Sequence, residues 1–195
     1  GGVELGFGLA VLDNINVTQV LNSGLEDNAI LLSTIQARTN DADGSESLRI
    51  TLSDLPAGST LTDGTDIHSF NAAAGSTSVD ITGWNLSTLK LTPPANYSGD
   101  INLTVTATAK DGDAQSVSTS LPLVVHVAAV NDPSVLTGDT NTVAEDHVAI
   151  GNVLGNDIDV DNTLSVATFA VQGVTGTFTA GQFAPIAGFG TVTIA

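Results

Sequence analysis

The chain has 195 residues, with 21 Asp and Glu against 4 Lys and Arg and a formal net charge of -17. Four cations cannot furnish the basic surface that nucleic acid requires, and the same imbalance opposes binding to an anionic membrane, so neither partner is expected. Cysteine is absent, which removes disulfides and thiolate metal sites; an apolar share of 42% is ample for a folded core, and no apolar run is long enough to span a membrane.

In chain order, residues 1–12 carry the apolar-rich "LGFGLAVL" and read as the last strand of a preceding unit or as a chain end, followed by Asp13-Asn14. The start "GGVELGFG" lacks the basic region of a signal peptide, so an export signal is expected elsewhere, or the chain is a piece of something larger. Glu26-Asp27 open "EDNAILLSTIQA", the one stretch with helical spacing, in which Ile and Thr make a poor helix. An acidic turn with Asp41, Asp43 and Glu46 precedes the strand signal "LRITL" at 48–52. The turn clusters "PAGS" and "TDGTD" follow, then "SVDIT" at 78–82, and Trp84, which reads as a core plug. In "PPANYSGD", Tyr97 stands where a tyrosine corner braces a strand crossing, and Asp100 is a candidate ligand for the lower pole.

The clearest strand is "INLTVTATAK" at 101–110, with Ile101, Leu103, Val105, Ala107 and Ala109 on one face and polar residues on the other. The hairpin "KDGD" then carries Asp111 and Asp113, and "LPLVVHV" at 121–127 holds His126 on a strand face. Beyond "VAAVNDP" come Glu145-Asp146-His147, the alternating carboxylates of "DIDVDNT" at 157–163, and "GTVTI" at 190–194. Short strands at this spacing predict an all-β chain of immunoglobulin- or cadherin-like β-sandwich repeats.

The acidic positions recur. Asp13 and Asp132 stand 119 residues apart, as do Glu26-Asp27 and Glu145-Asp146, while "DAD" at 41–43 and "DVD" at 159–161 are displaced by 118. A shared offset predicts a tandem array. Its register makes 13–131 a complete repeat and 132–195 the first half of a second, incomplete one. In an immunoglobulin-type sandwich, the lead-in, the B–C turn and the F–G turn lie at the same end. Glu26-Asp27, Asp41, Asp43, Glu46, Asp111 and Asp113 would then meet at one pole, with Asp13 arriving from upstream. Hard oxygen donors in such number suit calcium, which takes roughly six to eight of them, better than the stricter magnesium. The EF-hand pattern does not fit: counting from Asp157 puts Asn162 where Gly is required and Thr168 where Glu is required.

These residues carry a family resemblance. The run "EDNAILLSTIQARTNDADGSESLRITLSDLPAGSTL", then "LTPPANYSGDINLTVTATAKDGD" and "VNDP", resembles the cadherin-like repeats of large bacterial RTX adhesins. "NTVAEDHVAIGNVLGNDIDVDNTLSV" is similar to the start of a VCBS-type repeat from the same proteins. The resemblance implies a calcium-dependent cell-surface protein, secreted by a Gram-negative bacterium and acting in adhesion or biofilm formation. It implies ligand roles for Glu26 and Glu145, for Asp41 and Asp43, for Asp159 and Asp161, and for the linker pair Asn131-Asp132. The upstream linker reads "LDN" where the downstream one reads "VND", and the second repeat has no late "DGD" hairpin.

No nucleophile-elbow sequence accompanies the three histidines, so no enzymatic activity is expected. Two functions remain open. One is an extender repeat, stiffened by calcium at its poles and linkers and packed against neighbouring repeats, that holds an adhesive tip away from the cell. The other is a module that itself binds a carbohydrate or a surface. An aromatic share of 4% offers little for a sugar cleft and favours the extender.

Overall fold

The computed structural model describes residues 3–7, 22–39, 46–111 and 116–194. The chain divides into two units, Gly1–Val130 and Asn131–Ala195, one residue before the junction read from the repeat. Every regular element is a strand, and no helix occurs among the described residues.

The first unit contains β1 (Val3–Phe7), β2 (Asn22–Leu25), β3 (Ile30–Leu31), β4 (Ile35–Thr39), β5 (Glu46–Ser53), β6 (Thr60–Thr62), β7 (Ser69–Asn71), β8 (Val79–Asp80), β9 (Lys90–Thr92), β10 (Gly99–Asp111) and β11 (Val117–Ala128). One sheet has the order β2-β11-β10-β5-β8 and the other β3-β9-β6-β7, with β1 and β4 forming a separate pair. "EDNAILLSTIQA" thus becomes β3 and β4, and Ile30, Leu32 and Ile35 are buried. Residues 3–7, read as the end of a preceding repeat, run antiparallel to Ile35–Thr39 and cluster with the first unit, because β4 offers them a backbone edge.

Alternation along β10 sets the core. Ile101, Leu103, Val105, Ala107 and Ala109 are all buried, while Thr106 and Thr108 face outward and share hydrogen bonds of 2.8 Å with Ser120 and Ser118 of β11. Leu52, Val105 and Val125 of one sheet join Ile30, Leu61 and Leu91 of the other in a single apolar cluster, the arrangement of a β-sandwich. Trp84 and Tyr97 pack partly buried against it. The Tyr97 hydroxyl donates to the carbonyl of Asp100 at 2.9 Å, bracing the turn that starts β10.

Among the described residues strand β2 is the one parallel neighbour, running beside the end of β11 with Leu25 opposite Ala128. Buried Asn22 secures it: its Nδ2 donates to the Val124 carbonyl at 3.0 Å, and its Oδ1 accepts from the backbone N–H and the hydroxyl of Ser33. One side chain therefore ties β2 to β11 and to the loop between β3 and β4.

The second unit is sparser. It holds β12 (Thr168–Phe169) paired with β13 (Phe178–Thr179), β14 (Ala184–Ile186) paired with β15 (Gly190–Val192), and an isolated bridge between Val135 and Ile158. Among its described apolar residues only Ala184 is buried, whereas Val148, Ile150, Phe183 and Phe189 are exposed. Apolar side chains left in water contribute little to stability.

Two outcomes follow from this contrast. Leu103→Ala, at a site 1% exposed, should destabilise the first unit by about 3 kcal/mol in denaturant unfolding. Amides of 133–194 should exchange with solvent faster than those of β10 and β11 under native conditions. Equal protection in the two units would contradict the assignment of the core to the first.

Candidate functional site

The residues predicted to act as ligands fall into three groups. Asp13, Asp41, Asp43 and Asp113 lie outside the described residues. Glu26 and Asp111 belong to the first unit, and Asn131, Asp132, Glu145, Asp159 and Asp161 to the second.

In the first unit the expected single pole is not what forms. Because β2 runs parallel to β11, the chain reaches Glu26 beside the exit end of β11, where the backbone N–H of Glu26 donates to the Ala128 carbonyl at 3.0 Å. Residues Glu46 and Asp111 pair with each other at the far end of β10. The thirteen residues of β10 separate the two ends by about 40 Å at the rise of an extended strand. Sequence reasoning took Glu26 for the chain entry, whereas Glu26 follows β2 and lies at its exit end. Alternation in the sequence identifies strands but does not give the length along β11 at which a parallel partner docks.

At the exit end Glu26 is 2% exposed, and its Oε1 accepts a short hydrogen bond from the backbone N–H of Val130. The next residue, Asp27, has φ 56° and accepts from the backbone N–H of Asn96 at 3.0 Å. Asp146, its counterpart 119 residues on, has φ 64°. The two acidic pairs thus share a left-handed turn, a backbone state that L-residues adopt rarely and that Asp and Asn tolerate best. Asp100 accepts from Nδ1 of His126 at 2.7 Å across β10 and β11, both side chains exposed.

In the second unit the carboxylates of "DIDVDNT" answer to one segment. Asp161 Oδ2 accepts from the backbone N–H of Asp132 at 2.5 Å, Asp159 Oδ2 from the Ser134 hydroxyl at 2.6 Å, and Asp157 Oδ1 from the backbone N–H of Thr137 at 2.7 Å. The Val135–Ile158 bridge lies between them. Alternate side chains of an extended segment share a side, so three carboxylates at every second position meet a strip of donors that runs antiparallel to them. Asp159 Oδ1 also accepts from the backbone N–H groups of Asp161 and Asn162, at 3.0 and 2.7 Å. The Ser134 hydroxyl beside it, helped by these N–H groups against the cost of burial, holds the Asp159 carboxyl below the usual range. Asn162 Nδ2 donates to Asn131 Oδ1 at 3.0 Å, closing the cluster. Glu145 is exposed, and among the described residues no group of three or more His, Asp or Glu side chains is placed to hold a metal ion. What the segment offers is a set of hard oxygens from Asn131, Ser134, Asp159 and Asp161. This donor chemistry fits calcium, although most of these oxygens serve here as hydrogen-bond acceptors.

One acidic residue, read from the sequence as an ordinary turn aspartate, is instead a buried site. Asp63, in the turn "TDGTD", is 3% exposed. Its carboxylate accepts from the Thr65 backbone N–H at 3.0 Å, the Thr65 hydroxyl at 2.5 Å, His68 Nδ1 at 2.6 Å and the Asn85 backbone N–H at 2.8 Å. The His68 ring in turn stacks on Trp84, with centroids 5.1 Å apart and planes 7° off parallel. Burial pushes the Asp63 carboxyl up, but the bonds from Thr65, Asn85 and His68 outweigh it and hold the group well below the ordinary carboxylate range. The pair Asp63 and Thr65 is a recognisable side-chain turn signal. The partners 5 and 22 residues away leave no local trace.

No protein-family model, curated protein or solved structure matches the chain.

A carboxylate whose pKa is depressed on folding stabilises the native state above its unfolded value near 4, and that contribution is lost as pH falls through the folded value. Asp63→Asn should therefore lower the melting midpoint at pH 7 clearly more than Asp66→Asn, and the gap between wild type and Asp63→Asn should narrow below about pH 4. A gap that stays constant from pH 7 to pH 2 would show that the Asp63 charge is not what stabilises this loop.

Proposed function

We propose that this chain is a calcium-binding extender segment of a large secreted adhesin from the surface of a Gram-negative bacterium, without enzymatic activity of its own. The observation that carries the reading is the register of Asp157, Asp159 and Asp161 against residues 132–137, immediately after the junction between the units. It gathers oxygen donors on the segment that connects one repeat to the next. In a chain of net charge -17, a divalent cation there would also relieve repulsion that four basic side chains cannot.

Asn131, Ser134, Asp159 and Asp161 would hold the ion, with Asp132 contributing from the same segment. Binding would exchange hydrogen bonds from backbone N–H groups and the Ser134 hydroxyl for calcium–oxygen contacts and so fix residues 131–134 to the acidic turn of their own unit. A connecting segment held in this way cannot swivel freely, which is what an extender requires. For the first unit, Glu26 is proposed as a positioning group that grips Val130 and sets where the connecting segment leaves the sandwich.

Extracellular calcium modules bind with dissociation constants of about 10⁻⁴ to 10⁻³ M. At tenfold excess over the dissociation constant, each occupied site adds about 1.4 kcal/mol to stability. Calorimetric titration of the whole chain with calcium should show saturable binding that Asp159→Asn and Asp161→Asn each weaken, while Asp63→Asn leaves it unchanged. Melting curves that coincide in millimolar calcium and in excess chelator would overturn the proposal.

A further inference from the structure

The turn between β8 and β9 presents an asparagine in a geometry that the calcium reading does not use. Asn85-Leu86-Ser87 is an Asn-X-Ser triplet, the acceptor pattern for N-linked sugars. Asn96-Tyr97-Ser98 and Asn102-Leu103-Thr104 share the pattern, and Asn16-Val17-Thr18 does so outside the described residues. The pattern alone is common in a chain rich in Ser and Thr, so the surroundings of each asparagine decide.

Asn85 is exposed, and its Oδ1 accepts from both the backbone N–H and the hydroxyl of Ser87, at 3.2 and 2.7 Å. The hydroxyl that the acceptor pattern demands is therefore already at the amide. The Nδ2 group has no hydrogen-bond partner among the described residues and is left to solvent. The backbone beneath is anchored, since the Asn85 N–H donates to buried Asp63 and the Asn85 carbonyl accepts from Thr88 at 3.2 Å. Nδ2 thus stands free on a fixed platform.

The other triplets lack this combination. Asn102 is exposed but lies on β10 opposite Val124 of β11, so a transferase could engulf it only after prising a central strand from its neighbour. Asn96 sits at φ 56°, its N–H is held by Asp27, and no bond joins its side chain to Ser98.

We propose that Asn85 is an N-glycosylation acceptor, modified by a transferase that uses a sugar activated as a diphosphate ester. Nδ2 of Asn85 forms the new bond to the anomeric carbon of the sugar. The bond from that carbon to the diphosphate oxygen breaks, the diphosphate leaves with the electron pair, and the amide proton passes to a base of the transferase. The sugar adds neutral, hydrated bulk to the loop above Asp63 and consumes no charge. The inference is independent of calcium binding.

The test is to incubate the folded chain in two arms. One contains a soluble asparagine glycosyltransferase with a nucleotide-diphosphate hexose, the other an oligosaccharyltransferase with a lipid-diphosphate oligosaccharide. Intact mass and peptide mapping follow. A mass gain mapped to Asn85 in either arm, lost in Asn85→Gln and Ser87→Ala and kept in Ser87→Thr, supports the proposal, and the productive arm identifies the donor class. Circular dichroism of each variant, matched to wild type, separates loss of the acceptor from loss of the fold. An Asn85 left unmodified in both arms overturns the proposal, as does modification of Asn102 ahead of Asn85.

Discussion

A chain with 21 carboxylates and four basic side chains must satisfy its anions with something other than counter-charges, and in this protein the donors are N–H and O–H groups of its own turns. Asp63 gathers two backbone N–H groups, a hydroxyl and an imidazole; Asp159 gathers two backbone N–H groups and a hydroxyl; Glu26 takes a backbone N–H at the end of the sandwich. Hydrogen bonds to a charged acceptor are stronger than those between neutral groups, and each oriented N–H contributes a fixed partial positive charge. Asp80 does meet a guanidinium, that of exposed Arg49 at 2.7 Å, and there the first cause of its lowered pKa is Thr82 rather than the arginine. Surface ion pairs of this kind are worth little, so the turns carry the electrostatic load.

The placement of these anions follows the sandwich. Buried Glu26 is tolerable because the parallel docking of β2 delivers it to an unpaired N–H at Val130. Buried Asp63 is tolerable because the turns before β7 and after β8 converge on it, bringing His68 and Asn85. Removing any one donor would leave a carboxylate short of partners in a place with little water, where an unsatisfied polar group costs more than the bond it lost. The same scheme, carried by half-buried Asp157 and Asp159 and exposed Asp161, leaves oxygens near solvent and within reach of an ion.

The all-β architecture was legible because its signals are local. The alternation of 101–110 and 121–127 maps onto β10 and β11. Two features were not legible, and both depend on distant partners. Where Glu26 lies is set by how far along β11 a parallel strand docks, which no periodicity in 22–25 encodes. Asp63 looks like any turn aspartate until residues 68 and 85 fold back on it. The alternating carboxylates of 157–161 raised the right question, namely what offsets three like charges. Part of the answer is a strip of donors in 132–137, whose ordinary composition gives no sign of that role.

The central claim is that oxygens aligned by this strip are where calcium enters the protein. Nuclear magnetic resonance of the amide groups during a calcium titration tests it most directly, since each N–H named above reports on its own carboxylate. The account predicts saturable shifts concentrated at Asp132, Ser134, Asp161 and Asn162, with Thr65 and Asn85 around Asp63 unmoved. Shifts absent from 131–137 and 157–162, or confined to the opposite end near Glu46 and Asp111, would contradict it.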